Sequence, residues 1–165
     1  MPFKTLSLPA LALAFAIPAF AQTAAIDAGQ FATQAASSNM FEIESSRVAL
    51  QKVPEGPVAE FAQQMIDDHT AAGEKMMAAA RQDGVTPPAA LTEAHQSKLD
   101  QLAALDAQAF ETAYITAQAA AHQEAVALFT TYSTEGQDGA LRSFAAETLP
   151  VLQEHEREIS KLAAR

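Results

Sequence analysis

The chain has 165 residues, 49% of them hydrophobic, with no cysteine and a formal net charge of −10. This length fits one domain after a short export signal, and the lack of cysteine excludes disulfides, thiolate metal sites and thiol nucleophiles. The acidic composition argues against nucleic acid as a partner, because phosphate groups carry the same sign of charge.

The first 21 residues are predicted to form an export signal. Lys4 precedes an apolar run over residues 6–20, which closes on the small-x-small pattern Ala19-Phe20-Ala21. Cleavage after Ala21 would leave residues 22–165 as one mature domain in the periplasm. No later segment is apolar over the roughly 20 residues that a membrane helix needs. We therefore expect no stable membrane insertion after cleavage.

Long stretches rich in Ala, Glu and Gln and free of Pro and Gly predict an all-α fold. Four long helices are predicted, over residues 27–52, 57–82, 106–134 and 138–164. Pro54-Glu55-Gly56-Pro57 separates the first pair, because proline cannot continue a helix, and Glu135-Gly136 separates the second pair. A short helix over residues 91–104, with Thr92 as its cap, is predicted to cross over between the pairs. Pro150 predicts a kink in the last helix.

Three histidines lie on the apolar stripes of three different long helices. Spacings of three and four residues place His69, His122 and His155 among core-facing positions. Glu42 lies in a seam of small residues on the first helix, where neighbouring apolar faces compete for the interior. With a rise of about 1.5 Å per residue, all four groups lie near the middle of their helices. The four side chains could therefore meet inside the bundle.

Imidazole and carboxylate groups are ligands for zinc, copper, nickel and ferrous iron. Glu42, His69, His122 and His155 therefore predict a site for one divalent metal ion. A di-iron centre of the Glu-x-x-His type is disfavoured, because no histidine has a glutamate three positions before it. Asp68, beside His69, is a candidate for an outer contact that orients that imidazole.

Two other interpretations of the histidines stay open. They could be neutral buried side chains that hydrogen-bond to groups such as Glu42, Asp68 or Gln118 and hold the helices in register. A metal-dependent oxidase or hydrolase would additionally need a water-accessible coordination position. The sequence has no nucleophile motif or phosphate-binding glycine-rich loop, so it indicates no enzyme class. His95, among polar residues of the short helix, is predicted to be exposed and outside the site.

Four motifs extend over most of the mature chain. They are Ala35-Ala36-Ser37-Ser38-Asn39-Met40-Phe41-Glu42, Phe61-Ala62-x-x-Met65-Ile66-x-Asp68-His69-Thr70, Phe110-x-x-x-Tyr114-x-x-x-Gln118-x-x-x-His122 and Thr148-Leu149-Pro150-x-Leu152-x-x-His155. Together they resemble the domain-of-unknown-function 4142 family of exported bacterial proteins, often labelled membrane or outer-membrane proteins. The resemblance implies a ferritin-like four-helix bundle in the periplasm and no known reaction. It maps the family's motif positions onto Glu42, Asp68, His69, His122, Pro150 and His155.

We therefore predict a periplasmic ferritin-like bundle with a binding or stress-related role. Its ligand would be one divalent metal ion, such as zinc, copper or iron, held by Glu42, His69, His122 and His155. The alternative is a structural or protein-interaction bundle whose histidines form a hydrogen-bonded network. A metal-binding protein gains thermal stability with added ion, whereas such a network does not. The sequence indicates no particular protein partner and no oligomeric state.

Overall fold

A computed structural model describes residues 26–165 of the protein. This range contains five α-helices and no strand: α1 (Ala28–Lys52), α2 (Pro57–Gln82), α3 (Glu93–Ala103), α4 (Ala107–Glu135) and α5 (Ala140–Ala163). The predicted all-α fold is confirmed, and each predicted helix end lies within two residues of the observed one. The export signal predicted at residues 1–21 lies outside the described residues. Within them, no helix is long and apolar enough to cross a membrane.

The helices begin and end where side-chain chemistry favours it. Asp27, Thr92 and Asp106 cap α1, α3 and α4, each accepting a hydrogen bond from a backbone N–H three residues later. Pro57 begins α2, where its missing N–H costs no helical hydrogen bond. Gly84 follows the end of α2 with φ +69°, a left-handed conformation that favours glycine. Local sequence therefore determines most of these boundaries.

Each long helix packs against two others, α1 and α5 both packing on α2 and α4. Lys52 Nζ donates to the carbonyl oxygen of Leu105 at 2.6 Å, joining the end of α1 to the start of α4. The Asp83 carboxylate accepts from the backbone N–H groups of Ala140 and Leu141 at 2.9 and 2.8 Å, joining the end of α2 to the start of α5. Neighbouring long helices are therefore antiparallel, while α3 links α2 to α4 and packs on α1 and α4.

The interior consists of two apolar clusters. One contains Phe31, whose ring stacks on Tyr132 with centroids 3.9 Å apart, together with Phe129 and Phe144. The other contains Phe61 together with further aromatic and aliphatic side chains. These side chains include Phe41, Met65, Phe110, Tyr114 and Ile159. A layer of buried polar side chains contributed by four helices lies at the middle of the bundle, where members of both clusters border it.

The sequence predicted a kink at Pro150 and an exposed side chain at His95. Pro150 lies on the exposed side of α5, which continues through it from Ala140 to Ala163; the kink stays a prediction. The expectation that His95 is exposed is wrong. Its ring is half-buried, with Nδ1 2.7 Å from Ser37 Oγ and with the ring stacked on Phe41. His95 therefore connects α3 to α1, because a polar helix can still bury one side against its neighbour.

Candidate metal centre

Four helices each contribute one buried titratable group to the polar layer. Glu42 of α1 is 1% exposed, His69 of α2 4%, His122 of α4 0% and His155 of α5 2%. The predicted inward direction of the three imidazoles is confirmed, and Glu42 also faces inward. Each group occupies a core-facing position of its helix; packing brings the three histidines into one group and places Glu42 beside His69 and His122.

The three imidazoles form a compact triangle. Their ring centroids lie 5.7 Å apart for His69 and His122 and 5.5 Å apart for each of the other two pairs. One nitrogen from each ring can be chosen so that all three lie within 4.8 Å of one another. Oε2 of Glu42 lies 2.8 Å from His69 Nε2 and 3.4 Å from His122 Nε2. These are separations at which several atoms can share one small ligand.

Two of the imidazoles are oriented by neutral oxygen acceptors outside the triangle. His69 Nδ1 lies 3.1 Å from Asn39 Oδ1, and His122 Nδ1 lies 2.9 Å from the backbone carbonyl oxygen of Gln118. Because an oxygen acceptor requires a proton on the nitrogen that faces it, Nδ1 of each ring is the donor. When these rings are neutral, Nε2 of each presents its lone pair to the centre.

A carboxylate orients the third imidazole, and a hydroxyl orients the glutamate. His155 Nε2 donates to Asp68 Oδ2 at 2.9 Å, which leaves Nδ1 of that ring for the interior. Ser38 Oγ donates to Glu42 Oε1 at 2.9 Å, which leaves Oε2 for the interior. Each of the four groups thus has one polar atom bound to an outer partner and one directed elsewhere.

The inward atoms of these groups lack hydrogen-bond partners within residues 26–165. They are Glu42 Oε2, His69 Nε2, His122 Nε2 and His155 Nδ1. Glu42 Oε2 approaches His69 Nε2 at 2.8 Å, an ion-pair distance, and this contact contributes to the shifted pKa values of both groups. Buried polar atoms are usually satisfied, and these four atoms lie close enough together to be candidates for binding one shared ligand.

The charges in this layer depend strongly on one another. Burial opposes ionisation of Glu42, but His69 and His122 outweigh it and, with the Ser38 hydrogen bond, lower the pKa of Glu42 to about 2. Burial also disfavours protonated His69, but the Glu42 carboxylate outweighs this effect and raises the pKa of His69. For His155, burial and the nearby His69 lower the pKa despite Asp68. The Glu42 carboxylate therefore favours protonation of His69, and the charge on His69 in turn disfavours protonation of His155.

The structure corrects one predicted contact and adds two. Asp68 does not orient the adjacent His69, since it bonds to His155 on α5. Adjacent residues on a helix point about 100° apart, which turns the Asp68 side chain away from its sequence neighbour. Ser38 and Asn39 were missed as outer partners. The only sequence signal for them is their position within one turn before Glu42, on the same helix.

Comparison with known proteins supports the fold and assigns the family. No curated protein matches the sequence. A crystal structure of a DUF305 fragment from Deinococcus radiodurans is similar with a TM-score of 0.71 and 14% sequence identity, covering 82% of this chain and 94% of that chain. At this identity the similarity concerns the fold alone. The family model described as "Domain of unknown function (DUF4142)" matches residues 15–162. The chain therefore belongs to the DUF4142 family.

Proposed function

We propose that this protein binds a single divalent metal ion through Glu42, His69, His122 and His155. We further propose that it does so in the periplasm, as residues 22–165 after removal of the export signal, and that its four long helices form a ferritin-like bundle. The antiparallel pairing of neighbouring helices and the helical link between α2 and α4 support the last point.

The observation that carries the metal proposal is the set of four unsatisfied donor atoms in the buried layer. Leaving a buried polar atom without a partner costs about 1–3 kcal/mol, and a bound cation would remove this cost at all four atoms. Two nitrogen ligands of a tetrahedral zinc ion lie about 3.4 Å apart. The histidine nitrogens lie within 4.8 Å of one another, so they would have to approach by at most about 1.4 Å to reach that spacing.

The outer hydrogen bonds support the same proposal. Histidine ligands commonly donate their second ring N–H to a carboxylate or carbonyl oxygen, which fixes the tautomer and aims the lone pair. Here Asn39, Gln118 and Asp68 supply those oxygens. A core network that only joined helices would use the inward atoms for hydrogen bonds among the helices themselves.

The donor set selects a class of ion. Three imidazoles and one carboxylate suit zinc, copper, nickel or ferrous iron, whereas calcium and magnesium require mostly oxygen ligands. Without cysteine, thiolate ligands are excluded. We therefore expect a first-row transition metal or zinc.

The test is the metal content of the mature protein purified from the periplasm without an affinity tag. We expect about one ion per chain, lost in both His69→Ala and His155→Ala. His95→Ala is the matched control, because this fourth histidine lies on α3 with Ser37 and Phe41 as its neighbours. It should retain the ion.

Thermal unfolding gives a second readout. Added zinc, copper, nickel or ferrous iron should raise the melting temperature of the metal-free protein and of His95→Ala, but not of His69→Ala. Protein without metal in every preparation, together with no melting shift for any of these ions, would overturn the proposal. The buried layer would then be a hydrogen-bonded network with a structural or protein-interaction role.

A further inference from the structure

A small cavity adjoins the polar layer on one side. Its volume is about 30 Å³, and Glu42 and His69 are the two candidate metal ligands in its wall. The rest of the wall is mostly apolar, with three short polar side chains. The wall residues outside the candidate ligand set include Ala35, Ala72, Met76, Phe129, Phe144 and Thr148. The cavity therefore borders the candidate centre on the side of Glu42 and His69.

The size and polarity of the cavity restrict what it can hold. One water molecule needs at least about 10–15 Å³ measured in this way. A cavity of about 30 Å³ therefore has room for a molecule of two or three heavy atoms. None of the described residues in its wall is a lysine or arginine, so an anion would find no positive side chain there. An uncharged molecule fits these walls best, because desolvating a charge against apolar groups is costly.

A surface groove between α2 and α5 leads toward the same place. It has a volume of about 160 Å³, and Asp68 and Glu147 are among the residues in its wall. Ala72 on α2 and Thr148 on α5 line both this groove and the inner cavity. The groove and the inner cavity therefore adjoin at these two short side chains.

We propose that the cavity is the binding site of an uncharged diatomic molecule that adds to the bound metal ion as a fifth ligand, beside its four protein ligands, and that this molecule enters between Ala72 and Thr148. This inference rests on the proposed metal site and adds the class of small ligand that the ion takes. The apolar wall suits an uncharged ligand, and Glu42 and His69 are the candidate metal ligands that border the cavity.

Nitric oxide and cobalt(II) test this inference. Cobalt(II) occupies zinc and iron sites and reports its coordination by visible absorption, and nitric oxide is an uncharged diatomic ligand. We expect nitric oxide to change the absorption spectrum of the cobalt-loaded protein in a saturable manner. Ala72→Leu and Thr148→Ile fill the passage and the cavity, and both should lose this response while binding cobalt with unchanged stoichiometry. Both positions are half-buried, and the second variant still tests the inference if the first fails to fold.

Ala78→Leu is the matched control, because Ala78 is half-buried on α2 but lines neither space. It should respond to nitric oxide as the unaltered protein does. Cobalt bound without any nitric oxide response would overturn the cavity inference and leave the metal proposal standing. An undiminished response in both filling variants would overturn it as well. Failure to bind cobalt at all would overturn both proposals.

Discussion

Asp68 on α2 accepts a hydrogen bond from His155 Nε2 on α5 at 2.9 Å, so a half-exposed carboxylate determines how a buried imidazole is oriented. The bond crosses the contact between two neighbouring helices and leaves His155 Nδ1 facing the polar layer. A side chain at the protein surface thereby determines which nitrogen of a buried ring faces the interior.

Replacing Asp68 by alanine should weaken metal binding while leaving the fold intact. Loss of an outer partner of this kind typically costs about 10–100-fold in affinity, because the ligand ring is no longer held in one tautomer and direction. Competition with a chelator of known affinity measures the change. Asp67→Ala is the control, since Asp67 is exposed and accepts only from Gln63. Equal affinities for the two variants would contradict the role of Asp68.

The stability of the metal-free protein should depend on pH through Glu42 and His69. The pKa of Glu42 is lowered from 4.5 to about 2, so its stabilising effect is complete above pH 4.5 and is lost as the pH falls toward 2. The pKa of His69 is raised above 6.5, so its contribution is complete below pH 6.5 and is lost as the pH rises through the folded-state value. These two contributions are both complete between these limits, whereas the lowered pKa of His155 removes stability as the pH falls below 6.5.

Glu42→Gln should remove both of these contributions. The amide does not titrate and does not favour protonated His69, so stability is no longer lost through the Glu42 carboxylate toward pH 2 or through the raised pKa of His69 at higher pH. Urea unfolding over a range of pH, with a chelator present, gives the free energy of unfolding. Glu44→Gln is the control, because Glu44 on the same helix pairs with Arg47 near the surface. A wild-type profile that Glu42→Gln leaves unchanged would refute the coupling.

Asp83 should stabilise the start of α5. This helix has no side-chain cap of its own, and both carboxylate oxygens of Asp83 accept from its first backbone N–H groups. Asp83→Ala should cost about 1–2 kcal/mol in the free energy of unfolding, as for the loss of a helix cap. Gly139→Ala should also destabilise, because its Cβ would lie 2.6 Å from Asp83 Oδ2. The exposed Asp138→Ala should change stability by less than about 0.5 kcal/mol.

Ser37 should fix α3 against α1. Its buried hydroxyl accepts from the backbone N–H of Thr92 at 2.9 Å and lies 2.7 Å from His95 Nδ1. Ser37→Ala removes both contacts and should cost about 1–3 kcal/mol, the usual effect of leaving a buried donor unpaired. Amide hydrogen exchange should accelerate in α3, whereas metal content stays unchanged. Ser97→Ala, at an exposed site on α3, should leave the exchange of α3 unaltered.

The sequence determined which segments are helical and that the three candidate histidine ligands face the interior. Apolar residues at spacings of three and four define a buried face wherever the chain is helical, so the inward positions of His69, His122 and His155 could be read directly. Helix ends could also be predicted from the sequence, because capping residues and prolines act within a few residues along the chain. Thr92 and Gly84 are examples.

Only the tertiary structure decided which atoms meet. Whether Glu42 faces the histidines depends on how α1 rotates against α2 and α4, and competing apolar faces left that rotation open in the sequence. The partner of Asp68 was decided in the same way, since α5 brings His155 to it from 87 residues away. The inner cavity also depends on the distance between packed helices. Periodicity fixes the face of one helix, whereas the contacts of a site depend on the relative positions of several helices.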